Sequence, residues 1–436
     1  MLKFFTNACV RLFDRYLPDP LVLVVLITLI VFAAGMLFEA RTPVDMLGYW
    51  MDGFWTLHTF AMQMALILVT GFIVAKAPLF MRLVTHIAEI ARTPGRAVLL
   101  VTLTSLIVTW FNWGIGLVIG AILARELARR VADVDYRLLI ASAYSGFLIW
   151  HGGLSGAVPL TLATPGHFLE SQVGLIPTSE TLLSPFNLAI VVLLLICLPV
   201  TNCLMLRGID TPVTLEIEET AATPTPQGAV TRPAERLERS SWLARLIALM
   251  GFAAIAVYAF SGGGLNLNVV IFILLFLGIL LHGTLRRFLD TLAEGIGGAG
   301  GVLIQFPFYA GIMGMMGASG LASTIAQGFV DIASADTLPA LSFLSAGLLN
   351  IFIPSGGGQW AVQGPILMEA AKALNADIPR VAMAFAWGDS WTNMIQPFWA
   401  LPALAIAGLK ARDIMGFCAI ILLVSGVIIG GVLLVV

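Results

Sequence analysis

The chain has 436 residues, of which 59% are hydrophobic and only 11% charged. Soluble domains carry roughly a quarter charged residues, so composition excludes a water-soluble fold of this length. A formal net charge of −2 excludes the basic footprint expected of a nucleic-acid-binding protein.

Taken from the start, Met1–Pro20 holds Lys3, Arg11 and Arg15 and ends at a Pro18-Asp19-Pro20 breaker. It reads as an amphipathic helix on the cytoplasmic surface, since no small-residue cleavage pattern precedes the first apolar run. Apolar runs then follow at 21–38, 56–75, 138–163, 183–204, 242–260, 267–285, 296–316, 381–409 and 415–435. Runs of roughly 20 apolar residues cross a bilayer as helices, so the chain is an all-α, polytopic membrane protein.

Two further stretches, 97–123 and 338–367, are broken at their middles by Asn112-Trp113-Gly114-Ile115-Gly116 and by Pro354-Ser355-Gly356-Gly357-Gly358-Gln359. Arg92 and Arg96 precede the first stretch, and Arg125, Arg129 and Arg130 follow it. Positive charge stays on the cytoplasmic side. A single span would not be basic at both ends, so this stretch is expected to be a re-entrant hairpin from the cytoplasm. The second follows Asp331 and Asp336 and is expected to enter from the opposite side. Nine spans then remain, with a cytoplasmic N-terminus and a periplasmic C-terminus. The expected divisions are 1–20 (interfacial helix), 21–204 (first repeat), 205–241 (flexible cytoplasmic linker), 242–266 (connecting span) and 267–436 (second repeat).

The repeat emerges at one shift. Adding 243 places Asn112 on Ser355 and Gly114 on Gly357, and it pairs Glu126 with Glu369, Arg137 with Arg380 and Pro159 with Pro402. In the topology above the halves are inverted. Inverted repeats with interrupted helices mark secondary transporters, whose sites lie near the midplane.

Three polar breaks carry the candidate chemistry. Gly356, Gly357 and Gly358, with Ser355 and Gln359, offer exposed N–H groups at a helix start, where a carboxylate can be held; the bland alternative is close helix packing. The second break is Trp387-Gly-Asp-Ser-Trp-Thr-Asn-Met-Ile-Gln-Pro397. Asp389 is an acid deep in a span and hence a functional candidate, with a structural carboxyl as the alternative. Ser390 and Thr392 join it as coupling-ion candidates, and Asn393 and Gln396 as substrate ligands. Pro397 frees a carbonyl upstream. The third break, Trp150-His-Gly-Gly-Leu-Ser-Gly156, supplies Ser155 and His151. His151 is a coupling candidate because histidine changes charge near neutral pH; a plain hydrogen-bonding role is equally open. Asn112, Gly114 and Gly116 complete the substrate candidates, and Gln305 and Tyr309 are a weaker polar lining. Trp113, Trp150, Trp360, Trp387 and Trp391 offer an apolar wall for a short acyl tail, or packing and interfacial anchors.

No Lys or Arg is expected near the midplane, which favours a single small carboxylate with one co-bound cation. A channel is disfavoured by the broken-helix layout. No nucleophile–base pair, metal cluster or cofactor fingerprint points to an enzyme, and His151 is the only histidine expected to be buried. The four cysteines are scattered and read as small apolar fillers.

Asp-Gly-Phe-Trp at 52–55, Phe-Asn-Trp-Gly at 111–114, Gln-Phe-Pro-Phe-Tyr-Ala-Gly-Ile at 305–312, Ile-Pro-Ser-Gly-Gly-Gly-Gln-Trp at 353–360 and the run from Gln396 to Leu409 resemble the bacterial short-chain fatty acid transporter family. That resemblance covers nearly the full chain. It implies uptake of butyrate, acetoacetate or a similar monocarboxylate across the bacterial inner membrane, with another small organic anion as the alternative. It also implies a place in the ion-transporter superfamily: paired hairpins, an elevator-like transport domain, often a dimer, no cofactor, and Na⁺ or H⁺ as the coupling ion. The superfamily's Ser-Asn-Thr hairpin tips are replaced by Asn112-Trp-Gly and Ser355-Gly-Gly-Gly, so sodium ligands do not carry over and no metal site is certain. A Na⁺ near Asp389 stays open beside a proton.

Overall fold

The structure is a computed structural model that describes residues 20–209, 211–215, 232–351 and 353–435. The expected N-terminal interfacial helix and the middle of the linker lie outside the described residues. All regular structure among the described residues is helical. In chain order the helices are α1 Pro20–Phe38, α2 Pro43–Gly53, α3 His58–Ala75, α4 Pro78–Ala88, α5 Pro94–Phe111, α6 Trp113–Arg130, α7 Tyr136–Ser145, α8 Ala157–Leu162, α9 Glu170–Val173, α10 Pro185–Leu206 and α11 Pro233–Glu238. There follow α12 Ser241–Phe260, α13 Leu267–His282, α14 Leu285–Gly295, α15 Gly300–Ser319, α16 Leu321–Ile332, α17 Leu338–Asn350, α18 Gly356–Leu374, α19 Ile378–Thr392, α20 Pro397–Ala407 and α21 Ala411–Val435.

Local chemistry sets many of these bounds. Thr42 and Asp45 form a reciprocal capping box at the start of α2, which satisfies first-turn N–H groups that no intrahelical carbonyl reaches. Asp135 and Asp377 cap α7 and α19, and Pro94 and Pro185 sit at first-turn positions, where a missing N–H is harmless. Gly283, Gly320 and Gly408 end α13, α15 and α20 with φ of 73°, 95° and 68°, the left-handed region that favours glycine.

Among the described residues, eight helices are long and apolar enough to cross a membrane. One of these eight, the expected 138–163 span, is itself interrupted, since a 3₁₀ turn at Gly146–Gly152 and an irregular stretch separate α7 from α8. Two more of the nine expected spans do not form one long helix. The 267–285 run yields a 16-residue helix, α13. The 381–409 run is interrupted: α19 ends at Thr392, a short 3₁₀ turn covers Asn393–Ile395, Gln396 is extended, and α20 begins at Pro397. The eighth long helix is α5, the first arm of a hairpin. Six short helices, α2, α4, α9, α11, α14 and α16, were not expected; they lie where the sequence reads as connections. The linker is also not wholly free: Val213 N–H donates to Asp135 at 3.0 Å, and the Val213 carbonyl accepts from Tyr136 N–H at 2.8 Å.

The shift of 243 recurs in the elements. Subtracting it from α14, α15, α16 and α18 gives 42–52, 57–76, 78–89 and 113–131, against observed helices at 43–53, 58–75, 78–88 and 113–130. The equivalent helices α3 and α15 run antiparallel. Near the start of α3, Phe60 meets Phe306 of α15, with ring centroids 5.6 Å apart; near its end, a Cβ on Gly295, the last residue of α14 and just ahead of α15 in the chain, would meet Phe72 at 2.7 Å. Lys76 and Glu294 close that second end at 3.5 Å. Small residues permit close contact where apolar burial provides no drive: a Cβ on Gly53 would stand 2.8 Å from Gly314 Cα. Outward faces remain apolar, as at Leu249, Met250, Val257 and Phe260 of α12, which suits lipid rather than water.

Candidate functional site

Both broken stretches fold back on themselves as helical hairpins. In the first, α5 and α6 meet at the single extended residue Asn112, with φ −157° and ψ 124°. A Cβ on Gly116 would meet Thr109, and one on Gly120 would meet Ser105, as antiparallel arms require. The arms run beyond the expected 97–123, to Pro94 and Arg130. In the second, Gln359 donates to the Ala346 carbonyl at 2.8 Å and Gln363 donates to Ser345 at 2.9 Å, which stitches α18 to α17. The two tips are built alike. Asn112 Oδ1 accepts from Ile115 N–H at 3.0 Å, and Ser355 Oγ accepts from Gly358 N–H at 3.3 Å. Each is the N-cap of the second arm, and the two are 243 residues apart.

Between the tips lies a cavity of about 280 Å³. Hairpin tips and interrupted helices form one side of it, through Trp113, Trp150, Ser155, Pro354–Gly357 and Trp399. Helices α3 and α15 form the other, through Met64, Ile67, Leu68, Gly301, Gln305 and Phe306. Among the described residues, no Lys, Arg, Asp or Glu lines it.

The tips differ in what they offer a ligand. At the first, Trp113 N–H donates to Ser155 Oγ at 3.0 Å, and Asn112 Oδ1 takes Ile115 N–H. At the second, Gly356 and Gly357 face the cavity, and their first-turn N–H groups donate to no described residue. A helix start with free donors holds anions. Neither glycine has a positive φ, so the absence of a side chain, not backbone freedom, is what this tip uses. A Cβ on Gly357 would meet Phe60 Cζ at 3.0 Å and Met64 Sδ at 3.3 Å.

The remaining candidates divide. Ser155, Ser355, Gly356 and Gly357 come together in the cavity wall. Asn112 and Gly114 pack against Gly71 of α3, Gly116 packs against Thr109 of the other hairpin arm, and Gly358 packs against the Tyr309 ring. Gln359 is bound to the opposite hairpin arm. Asn393 and Gln396 belong to a separate buried cluster around Asn350. Asn350 Nδ2 lies 2.9 Å from the Asp389 carbonyl, 3.0 Å from Thr392 Oγ1 and 2.7 Å from Asn393 Oδ1. The Asn350 carbonyl accepts from Gln396, and Tyr144 OH donates to the Asn393 carbonyl at 2.5 Å.

Asp389 and His151 form a third unit. Both are fully buried, with His151 Nδ1 3.2 Å from Asp389 Oδ2. The same nitrogen is 3.0 Å from the Ala386 carbonyl, and hydrogen-bond geometry favours that carbonyl. Neither Asp389 oxygen therefore has a hydrogen bond among the described residues, nor does His151 Nε2 or Ser390 Oγ. His151 stacks on Trp150 and lies under the second tip, where a Cβ on Gly356 would meet its Cε1 at 2.6 Å. The pair thus joins the two interrupted helices directly behind the cavity. His151 is not the only buried histidine: His167 and His282 are buried too, each bonded to a carbonyl, Gly174 and Ile73 respectively.

Sequence reasoning missed Asn350, Asn187 and Trp399. Asn350 and Asn187 are lone amides in apolar runs. Asn187 accepts from Trp387 Nε1 at 2.9 Å and donates to the Gly152 carbonyl at 3.1 Å. Trp399 stands edge-on to Trp113 at 5.6 Å, whereas Trp360 and Trp387 are buried away from the cavity. Trp391 packs on Phe343.

Residues 1–436 match the family model described as "Short chain fatty acid transporter". Two curated proteins share the name "Putative short-chain fatty acid transporter". The one from Escherichia coli (strain K12) is 46% identical over 425 residues, 96% of each chain. The one from Haemophilus influenzae (strain ATCC 51907 / DSM 11121 / KW20 / Rd) is 43% identical over 416 residues, 93% of each chain. The fold is similar to that of the Alcanivorax borkumensis YdaH transporter, a structure of unusual topology, with a TM-score of 0.59 at 16% identity, covering 95% of this chain and 98% of that one. The family and these relatives are transporters, not enzymes, and with eight helices able to cross a membrane the chain is a multi-pass membrane protein that belongs to the short-chain fatty acid transporter family.

Proposed function

We propose that this protein takes up short-chain monocarboxylates, such as butyrate or acetoacetate, across the bacterial inner membrane by coupled, alternating access. The observation that carries the reading is the cavity itself. Among the described residues it has free backbone N–H donors at the start of a helix, at Gly356 and Gly357, and otherwise mostly apolar walls without a basic residue. One carboxylate finds donors and a positive helix end there. A second carboxylate, as in a dicarboxylate, would lose hydration against tryptophan and leucine with no compensation.

Coupling is assigned to the Asp389–His151 pair. A carboxylate without hydrogen bonds is costly at membrane depth, so Asp389 calls for a proton or a cation. The histidine ring 3.2 Å away, whose Nδ1 donates to the Ala386 carbonyl, stands where an oxygen ligand for a cation would be needed, which favours H⁺ on Asp389. The sodium reading rests on the Asn350 cluster, where Asn350 Oδ1 and Gln396 Oε1 are buried oxygens without hydrogen-bond partners among the described residues; neutral oxygens are how interrupted helices hold Na⁺. The antiparallel α3 and α15, and a cavity between them and the hairpin tips, support inverted repeats, re-entrant hairpins and an elevator-like motion of the hairpin unit; the homodimer rests on the family resemblance alone. Labelled butyrate and acetoacetate uptake into proteoliposomes tests the function. Accumulation under an imposed pH or sodium gradient is expected; failure to concentrate either acid under both gradients overturns the proposal.

A further inference from the structure

We propose that Asn187 is a positioning residue for coupling: it holds the His151 ring on the Ala386 carbonyl and so keeps the Asp389 carboxyl free for the coupling ion. The inference rests on the reading that Asp389 carries that ion.

Asn187 stands in the first turn of α10, outside both interrupted helices, and is fully buried. Its amide is fully used. Nδ2 donates to the Leu182 carbonyl at 2.7 Å and to the Gly152 carbonyl at 3.1 Å, and Oδ1 accepts from Trp387 Nε1 at 2.9 Å. The partners fix which way the amide points, because carbonyls only accept and an indole N–H only donates. Gly152 follows His151 in the chain, while Trp387 follows Ala386 and lies two residues before Asp389. One side chain therefore ties the break of the first repeat to the interrupted helix of the second, beside the coupling pair. The joint has little slack: a Cβ on Gly152 would meet Trp387 Cζ2 at 2.4 Å and Asn187 Oδ1 at 3.0 Å. Trp110 Nε1 also donates to the Gly152 carbonyl, at 3.1 Å, and the Trp110 carbonyl accepts from Leu154 N–H at 2.7 Å. Those bonds stay within the first repeat and do not bridge to Trp387.

What the joint controls is a choice of acceptor. His151 Nδ1 has two oxygens within reach, the Ala386 carbonyl at 3.0 Å and Asp389 Oδ2 at 3.2 Å. While the ring donates to the carbonyl, both carboxyl oxygens lack a hydrogen bond among the described residues. A buried carboxylate in that state calls for an external proton or cation. A small tilt of the ring moves the same N–H onto the carboxylate. Hydrogen bonds to a charged group are stronger than neutral ones, so a released ring turns to Asp389, which then has an internal partner in place of the coupling ion. Asn187 opposes the tilt by fixing the residue after His151 against the residue after Ala386.

The test uses Asn187→Ala and Trp387→Phe in proteoliposomes, with labelled butyrate or acetoacetate, whichever wild type concentrates more. Two quantities are measured: accumulation under the gradient that drives wild type, and exchange of labelled for unlabelled acid without a gradient. Accumulation should fall by about tenfold in Asn187→Ala and by about fivefold in Trp387→Phe, which removes one bond of the three. Exchange should stay within about twofold of wild type in both, since the cavity is untouched. A parallel fall of accumulation and exchange marks Asn187 as structural only and overturns the proposal, as does wild-type accumulation. Asp389→Asn separates the two layers of the argument. If it still concentrates the acid, coupling does not pass through Asp389, and this inference falls with that reading. If it is uncoupled while Asn187→Ala and Trp387→Phe concentrate the acid as wild type does, the positioning role alone falls. If Asn187→Ala does not fold, Trp387→Phe decides by the same split between accumulation and exchange.

Discussion

Gly357 shows how one missing side chain separates two roles that glycine can play. Gly116 is needed for contact: a Cβ there would stand 2.7 Å from Thr109 Cα, inside the same hairpin. At Gly357 the nearest atoms are the ends of Phe60 and Met64, which can turn aside, while the residue lines the cavity and its N–H donates to no described residue. Gly357→Leu should therefore fold and express near the wild-type level, yet lose nearly all uptake, because the side chain fills the space where a carboxylate meets the tip. Transport at the wild-type rate in a well-expressed variant would show that the glycines serve packing alone. Asp389 is the complementary case. Asp389→Asn keeps the shape and removes the group that changes charge. Gradient-driven accumulation should vanish, while exchange of labelled for unlabelled substrate across the membrane survives. Should the variant still concentrate substrate on the same ion gradient, Asp389 is structural and coupling passes to the Asn350 cluster.

At the scale of elements, Asn350 ties the first arm of the second hairpin to the interrupted helix α19–α20. Its amide reaches oxygens of Asp389, Thr392 and Asn393, and its carbonyl takes Gln396. Asn350→Leu strands several buried polar groups, each worth about 1–3 kcal/mol when unpaired, so a fall of several degrees in thermal unfolding and loss of transport are expected. An unchanged melting point would mean the cluster is not a structural joint. The breaks themselves were legible: Asn112 and Ser355 stood out as polar, glycine-flanked interruptions at one shared shift, and Pro397 marked where α19 must stop. The short helices α2, α4, α14 and α16 were not legible. Asp45, Asp52, Arg82 and Arg286 make the first three too polar to read as spans, α16 is apolar but only 12 residues long, and the helical form of all four depends on caps and on neighbours that no single stretch displays. Cavity residues were half legible. Glycine and serine at a break announce themselves, but Met64, Ile67 and Leu68 look the same whether they face a ligand, a neighbour or lipid. Trp399 and Trp360 both sit beside breaks, and only the packing shows that the first lines the cavity.

For the whole molecule, the antiparallel pairing of α3 with α15 is the physical basis for reading the halves as inverted. If each half is one copy of the same plan and these equivalent helices point in opposite directions, the two hairpins must enter from opposite faces. Charge agrees: the first hairpin's base carries Arg92, Arg96, Arg129 and Arg130, while Asp331 and Asp336 precede the second, and basic residues favour the cytoplasmic side. Ala132 and Asp336 are exposed at the two bases. In a background with Cys9, Cys197, Cys203 and Cys418 replaced by serine, Ala132→Cys should react with a membrane-impermeant maleimide only in inside-out vesicles. Asp336→Cys should react in intact cells with a permeabilised outer membrane. A shared cavity needs both tips at one depth, and the antiparallel repeat helices are what favour entry from opposite sides. Labelling of both cysteines from the same face would place both hairpins on one side, and the inverted-repeat account of transport would then have to be abandoned.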